Sequence, residues 1–220
     1  MNILKLIKLP DLVTIVNALL GFVALLMVAR GEIGSASVLI LVAALVDGLD
    51  GFIARNIENG IFGVNLDSFA DFISFGIVPA IAGYMLINEI NPYIASGFTA
   101  AYLTCGMLRL ARFNISSKGK DFIGLPVTAS GVCMALLITV NADPRILAGS
   151  YMILSALMVS SISYPKIQDR KILMSVGIVL VLSIAIYSVQ DIHFVNLIPL
   201  MMVICYLLSP LLYKVKYATR

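Results

Sequence analysis

Long apolar segments alternate with short polar links along almost the whole chain. Each segment is close to the ~20 residues that an α-helix needs to cross a bilayer. The pattern predicts an all-α, polytopic membrane bundle with about eight transmembrane helices. The predicted spans are Leu12–Ala29, Ser35–Arg55, Val64–Ile87, Tyr93–Phe113, Leu125–Val140, Arg145–Ser161, Ile172–Val189 and Phe194–Tyr213.

The first eleven residues, MNILKLIKLPD, differ from these spans. Lys5 and Lys8 stand among Leu and Ile at helical spacing, and no small-residue cleavage site follows them. This pattern predicts an amphipathic helix that lies on the membrane surface.

Composition supports a membrane protein. The chain has 220 residues, of which 60% are hydrophobic and 12% charged, and its mean hydropathy is +1.02. Soluble domains are nearer half apolar and a quarter charged. Three single cysteines inside apolar segments indicate no disulfide framework. We expect one domain over residues 1–220 and no nucleic-acid partner.

Positive charge is distributed unevenly among the links. Of the 15 Lys and Arg residues, all but Arg30 and Arg145 fall on one side of the predicted topology. The positive-inside rule assigns that side, with both termini, to the cytoplasm. The expected location is the cell membrane.

Four aspartates stand apart from the remaining acidic residues, which lie in links or at span edges. Asp47 and Asp50 share one helical stripe, and Asp67 and Asp71 share another. If a tight hairpin joins the second and third spans, all four lie at a similar depth beneath the cytoplasmic surface. A carboxylate in an apolar span is costly, so four together indicate a function.

Two kinds of function fit four such carboxylates. An all-oxygen set selects a hard cation, Mg²⁺ or Mn²⁺ with Ca²⁺ also compatible, and two ions could share the four groups during phosphoryl transfer. Arg55 beside them would then bind phosphate. Alternatively, intramembrane aspartates form a proton or divalent-cation path in a transporter. Their position on one helix pair near one surface favours a site for a phosphate-bearing substrate.

The spacing of these residues matches a family signature. Asp47-x2-Asp50-Gly51-x2-Ala54-Arg55, followed after seven residues by Gly63-x3-Asp67-x3-Asp71, resembles the motif of the CDP-alcohol phosphotransferases, which are integral membrane enzymes of phospholipid synthesis. Eight positions are fixed over 25 residues, so a match by chance is very improbable.

The resemblance implies specific roles. It implies that a divalent metal binds the four aspartates and grips the diphosphate of a CDP-linked lipid, and that Asp71 is the general base for an alcohol. It implies that Gly51, Ala54 and Arg55 contact the nucleotide or phosphates. Leu9–Asn17 is similar to the family's entry to the first span, which assigns Thr14 to the CDP group. Asp11 and Thr14 are also ordinary helix-start residues.

Three further stretches resemble the phosphatidylserine synthase branch: Leu66–Ala80, Arg109–Asn114 and Gly124–Pro126. This resemblance implies transfer of a phosphatidyl group from CDP-diacylglycerol, or an ether analogue of the CDP-archaeol type, to L-serine with release of CMP. The alternative acceptors are glycerol 3-phosphate and an inositol phosphate. Family resemblance also implies a homodimer.

Cations near the cytoplasmic end of the fourth span are candidates for holding the acceptor. Arg112 or Lys118 could bind the serine carboxylate, since a bidentate Arg suits that task. Each could equally be a topology anchor or a lipid-headgroup contact. If neither binds serine, the acceptor site is expected around Asn65, Ser68 and Gly124–Ser130. We place the catalytic core at about 9–165 and additional spans at 172–213.

Overall fold

The computed structural model describes residues 7–54, 62–116, 122–165, 169–190 and 193–218. The helices in this part of the chain are α1 Leu9–Ala29, α2 Ile33–Ala54, α3 Gly63–Asp71, α4 Val78–Ile87, α5 Pro92–Ser116, α6 Val127–Thr139, α7 Pro144–Val159, α8 Arg170–Gln190 and α9 Leu197–Ala218. All eight predicted segments are helical, so the all-α class is confirmed.

Two short strands add a feature that the apolar pattern does not predict. Strands β1 Phe122–Ile123 and β2 Ser163–Tyr164 pair antiparallel. They join the link before α6 to the link after α7. The pair therefore ties together two connections at the same end of the bundle.

The third predicted span is one continuous helix with a change of winding inside it. A π-helical segment, Phe72–Ile77, joins α3 to α4, and the Val78 N–H bonds to the Ile73 carbonyl five residues earlier. Pro79 follows at once and cannot donate to the carbonyl of Phe75, because proline has no N–H. The hydroxyl of Tyr102 donates to that carbonyl instead, at 2.8 Å.

Helix α6 lies at the centre of the bundle. It packs against α2, α7, α9 and the π-helical segment. Every residue from Ser130 to Leu136 is buried. Helix α1 packs along α2, α3 and the π-helical segment, whereas α5 packs mainly on α4 and α7. The core therefore surrounds the span that contains Asp67 and Asp71.

Three helical stretches among the described residues are long and apolar enough to cross a membrane: Leu9–Ala29, Gly63–Ile87 and Lys171–Val189. Ile33–Leu49, Val127–Thr139, Pro144–Val159 and Phe194–Pro210 are apolar but shorter. The fold is that of a multi-pass membrane protein. Eight crossings remain a prediction.

The fifth predicted span is shorter than expected. Helix α6 has 13 residues, which is about 20 Å at 1.5 Å per residue. Pro126 is its N-cap residue and has extended backbone angles. At the other end Asn141 adopts a positive φ of 54°. Pro126 at one end and the turn at Asn141 at the other therefore make the helix shorter than the apolar run.

The predicted amphipathic N-terminal helix falls mostly outside the described residues, which begin at Ile7. In the described part Lys8 is extended, with φ −106° and ψ 170°, and is the N-cap of α1. The Asp11 carboxylate accepts the Lys8 N–H at 2.8 Å. The sequence from Leu9 to Asp11 belongs to α1, so a separate surface helix cannot extend through it.

Candidate metal centre and active site

Three of the four motif aspartates converge. Carboxylate oxygens of Asp47 on α2 and of Asp67 and Asp71 on α3 all lie within 4.8 Å of one another. Asp67 and Asp71 are four residues apart, which puts them on one face of α3. Asp71 is only 7% exposed, while the other two are half-buried. Oxygen-only ligands at this spacing fit a hard divalent cation.

The two oxygens of Asp71 have different surroundings. Oδ2 accepts a hydrogen bond from the Thr128 hydroxyl at 3.4 Å. Oδ1 is buried and has no hydrogen-bond partner in the described structure. A buried carboxylate oxygen without a hydrogen-bond partner costs free energy. Such an oxygen is expected where a cation or a substrate hydroxyl binds. This observation supports a metal or substrate position beside Oδ1.

Among the described residues, Arg109 is a cation that interacts electrostatically with this group of carboxylates. It is 6% exposed, and it interacts electrostatically with Asp71 and Asp67. Its Cζ lies 5.2 Å from the centre of the Phe113 ring. In the sequence Arg109 stood out only as part of the Arg109–Asn114 stretch, whereas its burial beside two carboxylates gives it a place in the site.

The π-helical segment is held from three sides. Tyr102 on α5 donates to the Phe75 carbonyl and lies 3.1 Å from the Ser130 hydroxyl on α6. A Cβ added to Gly131 would meet the Phe75 backbone at 2.8 Å. On the α1 side the Ser74 hydroxyl donates to the Asn17 carbonyl at 3.0 Å. These contacts fix the orientation of the helix directly after Asp71.

Thr128 and Tyr102 are site residues that sequence reasoning did not single out. Thr128 falls within Gly124–Ser130, the range expected for an acceptor site if the cations were excluded. A hydroxyl in the first turn of a helix is common, so nothing in the motif separated Thr128 from its neighbours. Tyr102 was hidden because a tyrosine in an apolar span usually indicates packing alone.

Ser68 links α3 to α5 beside Asp67. Its hydroxyl lies 2.9 Å from Asn114 Oδ1 and 3.1 Å from the Val64 carbonyl, and it is 7% exposed. Sequence reasoning named Ser68 among the fallback acceptor positions. In the structure it connects the two helices that carry Asp67 and Arg109.

Arg112 has a different environment from the one predicted for a serine ligand. Its terminal nitrogens donate to four backbone carbonyls, those of Met158, Val159, Ser160 and Ile123, at 2.7 to 3.3 Å. Three of these carbonyls lie at the end of α7 and one in β1. The guanidinium therefore fastens the strand pair to α7, and this contact set supports a structural role. Binding of serine by Arg112 stays untested.

Gly124 is required by that arrangement. It adopts a φ of +77°, a conformation that glycine adopts without strain. A Cβ there would clash with the Arg112 Nη2 and with the Met158 carbonyl oxygen. The Gly-Leu-Pro stretch noted in the sequence thus allows the arginine to reach the carbonyls.

The structure describes the remaining predicted ligands to different extents. Thr14 is 3% exposed on α1, and its hydroxyl donates to the Pro10 carbonyl at 3.2 Å, four residues earlier, as a Thr inside a helix often does. The backbone of Asp50, Gly51 and Ala54 lies in α2, but their side-chain environment is outside the described part. Arg55 and Lys118 lie wholly outside the described residues.

Apolar helices surround a cluster of three carboxylates, one of which is buried. This arrangement is that of an integral membrane protein with a catalytic or ion-binding site. Residues 7–163 match the family model described as CDP-alcohol phosphatidyltransferase. The chain belongs to this family. The match ends at β2, so α8 and α9 lie beyond it.

Several curated relatives are similar over most of their length. An archaetidylserine synthase of Methanothermobacter thermautotrophicus is 38% identical over 171 residues, 76% of this chain and 73% of the relative. A CDP-diacylglycerol–serine O-phosphatidyltransferase of Bacillus subtilis is 37% identical over 159 residues, 71% and 89% of the two chains. One of that name from Methanocaldococcus jannaschii is 35% identical over 173 residues, 77% and 79%.

Proposed function

We propose that this protein transfers a phosphatidyl group, or its ether-lipid analogue, from a CDP-linked lipid to L-serine and releases CMP. The observation that carries the proposal is the convergence of Asp47, Asp67 and Asp71 in a member of a family whose similar relatives are named for this transfer to serine. The convergence of these three carboxylates, on α2 and α3, supports metal-assisted phosphoryl transfer.

The four aspartates are proposed to hold Mg²⁺ or Mn²⁺. Three of them supply the oxygens already close together, and Asp50 follows Asp47 by one helical turn in α2. A divalent ion held by these residues would neutralise charge on the diphosphate and on departing CMP. Gly51, Ala54, Arg55 and Thr14 are proposed to contact the nucleotide end of the substrate.

Asp71 is proposed as the general base. The serine hydroxyl oxygen attacks the phosphorus that bears the lipid, the bond from that phosphorus to the CMP oxygen breaks, and the hydroxyl proton passes to the Asp71 carboxylate. CMP leaves with the electron pair of the broken bond. Thr128 donates to Oδ2 and Oδ1 has no hydrogen-bond partner in the described structure, which supports Oδ1 as the oxygen that takes the proton.

Arg109 is the described cation best placed for the serine carboxylate. In serine the carboxylate is separated from the hydroxyl by only two carbons, so its partner must lie close to the base. Arg109 interacts with Asp71, whereas the terminal N–H groups of Arg112 are directed at carbonyls. Lys118 remains a second candidate outside the described residues.

The finer topology is also proposed. Eight helices cross the membrane, both termini are cytoplasmic, and the aspartates face the cytoplasm; the basis is the uneven Lys and Arg distribution. A single engineered cysteine at Thr219, in a chain lacking Cys105, Cys133 and Cys205, should resist an impermeant thiol reagent added to intact cells. Labelling from outside would contradict this topology. A homodimer is proposed on family resemblance and is tested by the mass of the detergent-solubilised protein.

The proposed function is tested by CMP release from CDP-diacylglycerol with parallel acceptors. Serine should stimulate release strongly, and glycerol 3-phosphate or inositol phosphate should not. If only a phosphate-bearing acceptor stimulates CMP release, that acceptor takes the place of serine in the proposal and the type of reaction stays the same. Ion flux in vesicles without any CDP-lipid, combined with no CMP release, would favour the transporter alternative.

A further inference from the structure

Asn17 on α1 is a buried polar side chain that the proposed mechanism does not use. It is 1% exposed, and neither Oδ1 nor Nδ2 has a hydrogen-bond partner in the described structure. Leaving a buried amide unpaired costs free energy, so such groups usually have a partner or a function. The backbone carbonyl of the same residue is satisfied by Ser74.

The position of Asn17 relates it to the carboxylates. It belongs to a buried stripe of α1 with Asp11, Thr14 and Gly21. A Cβ on Gly21 would meet the Ser74 Cα at 3.0 Å, so this stripe lies directly against the π-helical segment. Ser74 follows Asp71 by three residues. Asn17 therefore faces the span that contains the proposed base.

Helix geometry then sets the depth of the amide. Helix carbonyls point to the C-terminus, whereas every Cα–Cβ bond tilts toward the N-terminus. The Asn17 carbonyl accepts a hydrogen bond from Ser74. The Asn17 side chain therefore lies nearer the start of α1 than this hydrogen bond does. Helix α2 returns antiparallel to α1 after the Gly31 turn. Because Asp47 in the C-terminal half of α2 meets Asp67 and Asp71 near the start of the next span, α3 turns back again and runs in the same direction as α1. The amide is thereby directed to the level of Asp71.

Asn17 approaches Asp71 from the α1 side, and this side favours the CDP-lipid as the ligand of its amide. Arg109 and Thr128 reach Asp71 from α5 and α6. Helix α1 packs against α2, α3, the π-helical segment and α4. The α1 and α2 side is where Thr14, Gly51 and Ala54 are proposed to bind the CDP-lipid. A neutral amide N–H beside a diphosphate has phosphate oxygens as its natural acceptors.

We propose that Asn17 Nδ2 donates a hydrogen bond to a non-bridging phosphate oxygen of the CDP-lipid and is a catalytic residue of the transfer. A fixed donor aimed at an oxygen whose negative charge changes as CMP leaves stabilises the transition state. The inference rests on the proposed function, because it assigns the CDP-lipid as ligand. It adds a residue outside the aspartate signature.

Asn196 offers a matched control. It is also 1% exposed, and both its amide atoms lack a hydrogen-bond partner. It lies in the short 3-10 turn His193–Asn196 between α8 and α9, remote in sequence from every proposed ligand. Leucine at either position removes an unpaired amide at similar volume. Both variants should therefore fold with an unchanged or raised melting temperature.

The experiment compares the full chain with N17L, N17D and N196L in CMP release. N17L should lower kcat/KM for CDP-diacylglycerol about ten- to a hundredfold, the value of one hydrogen bond to a charged group. N17D, which replaces the donor with an anion at the same size, should be worse. The KM for serine should stay within about threefold in N17L, and N196L should match the unaltered chain in both.

Two results would overturn the inference: equal CDP-diacylglycerol kinetics in N17L and N196L, or a change confined to the KM for serine. If the unaltered chain releases no CMP, the proposed function fails separately. The inference is then judged by the rise in melting temperature that CDP-diacylglycerol and Mg²⁺ produce. A smaller rise in N17L than in N196L supports it, and equal rises refute it.

Discussion

Helices α6 and α8 are both strongly apolar, yet they occupy opposite environments. In α6 the run Ser130–Leu136 is entirely buried. In α8 only Leu180 and Ser183 are buried among the residues whose side chains are described. Hydrophobicity alone therefore does not tell a central helix from one that faces lipid.

The hydroxyl side chains of the two helices do tell them apart. Thr128 and Ser130 on α6 reach Asp71 on α3 and Tyr102 on α5. Ser175 on α8 donates to the carbonyl of Ile172 in its own helix, and Ser183 donates to the Val195 carbonyl in the 3-10 turn that follows α8. A hydroxyl that bonds to its own backbone needs no neighbour. The α6 hydroxyls thus lie in the layer around Asp71, whereas the bonds of these two α8 serines stay within α8 and the turn after it.

The largest contrast is expected between carboxylates inside and outside that layer. Asp71→Asn should lower kcat at least about a hundredfold, because it removes the proposed base. Asp47→Asn and Asp67→Asn should likewise abolish Mg²⁺- or Mn²⁺-dependent turnover. Asp143→Asn is the control, since its carboxylate caps α7 by accepting the Arg145 N–H. Asp143→Asn should leave activity unchanged. Normal metal-dependent turnover in all three site variants would contradict the proposed metal centre.

The two arginines of α5 give the next contrast. Arg109→Gln should raise the KM for serine about ten- to a hundredfold, since a hydrogen bond to a charged group is worth about 1.5–3 kcal/mol. Arg112→Gln leaves carbonyls unpaired and should lower the melting temperature with serine KM within about threefold. Steady-state kinetics and thermal unfolding of both variants measure this. The reverse pattern would restore Arg112 as the serine ligand.

A smaller effect is expected where the π-helical segment is held. Tyr102→Phe removes the hydroxyl that bonds Phe75, so the orientation of Asp71 should relax and the metal concentration for half-maximal binding should rise up to about tenfold. Tyr151→Phe is matched, because that hydroxyl donates to the Pro79 carbonyl beyond the π-helical segment. Both variants should lose about 0.5–1.5 kcal/mol of stability. Metal titration by thermal shift separates them, and equal metal affinity would make Tyr102 structural only.

The smallest effects should separate α6 from α8 directly. Ser130→Ala removes a hydroxyl that bonds across helices and should cost about 0.5–1.5 kcal/mol of unfolding free energy. Ser175→Ala should stay within about 0.5 kcal/mol, as exposed substitutions usually do. Denaturation in detergent measures both. Equal losses would show that inter-helix hydroxyls do not define a separate layer.

Much of the fold was predictable from the sequence because bilayer length and apolar runs set the helices. Each predicted segment overlaps an observed helix, from α1 to α9. The π-helical segment was not predictable, because a change of winding inside an apolar run leaves no signal in the pattern, and the Tyr102 hydroxyl that bonds to Phe75 comes from another helix. The β1–β2 pair also escaped, because two-residue strands leave no periodic signal.

The candidate site divides in the same way. Asp47, Asp67 and Asp71 were predictable from their spacing, because residues four apart share a helix face. Thr128, Arg109 and Asn17 depend on which helices pack together, and that information is not local in the sequence. Arg112 shows a second limit of the sequence: its contacts with backbone carbonyls support a structural role, while the predicted binding of serine stays untested. A cation at a helix end looks the same in sequence whether it binds a substrate or fastens backbone carbonyls.

The central claim is tested most directly by following labelled serine into lipid. The purified protein is incubated with CDP-diacylglycerol, Mg²⁺ or Mn²⁺ and labelled serine, and both the serine lipid and CMP are measured. The account predicts equal amounts of the two products, loss of both on chelation, and loss of both in Asp71→Asn. Serine lipid formed at the normal rate by Asp71→Asn, or CMP released without any serine lipid, would contradict it.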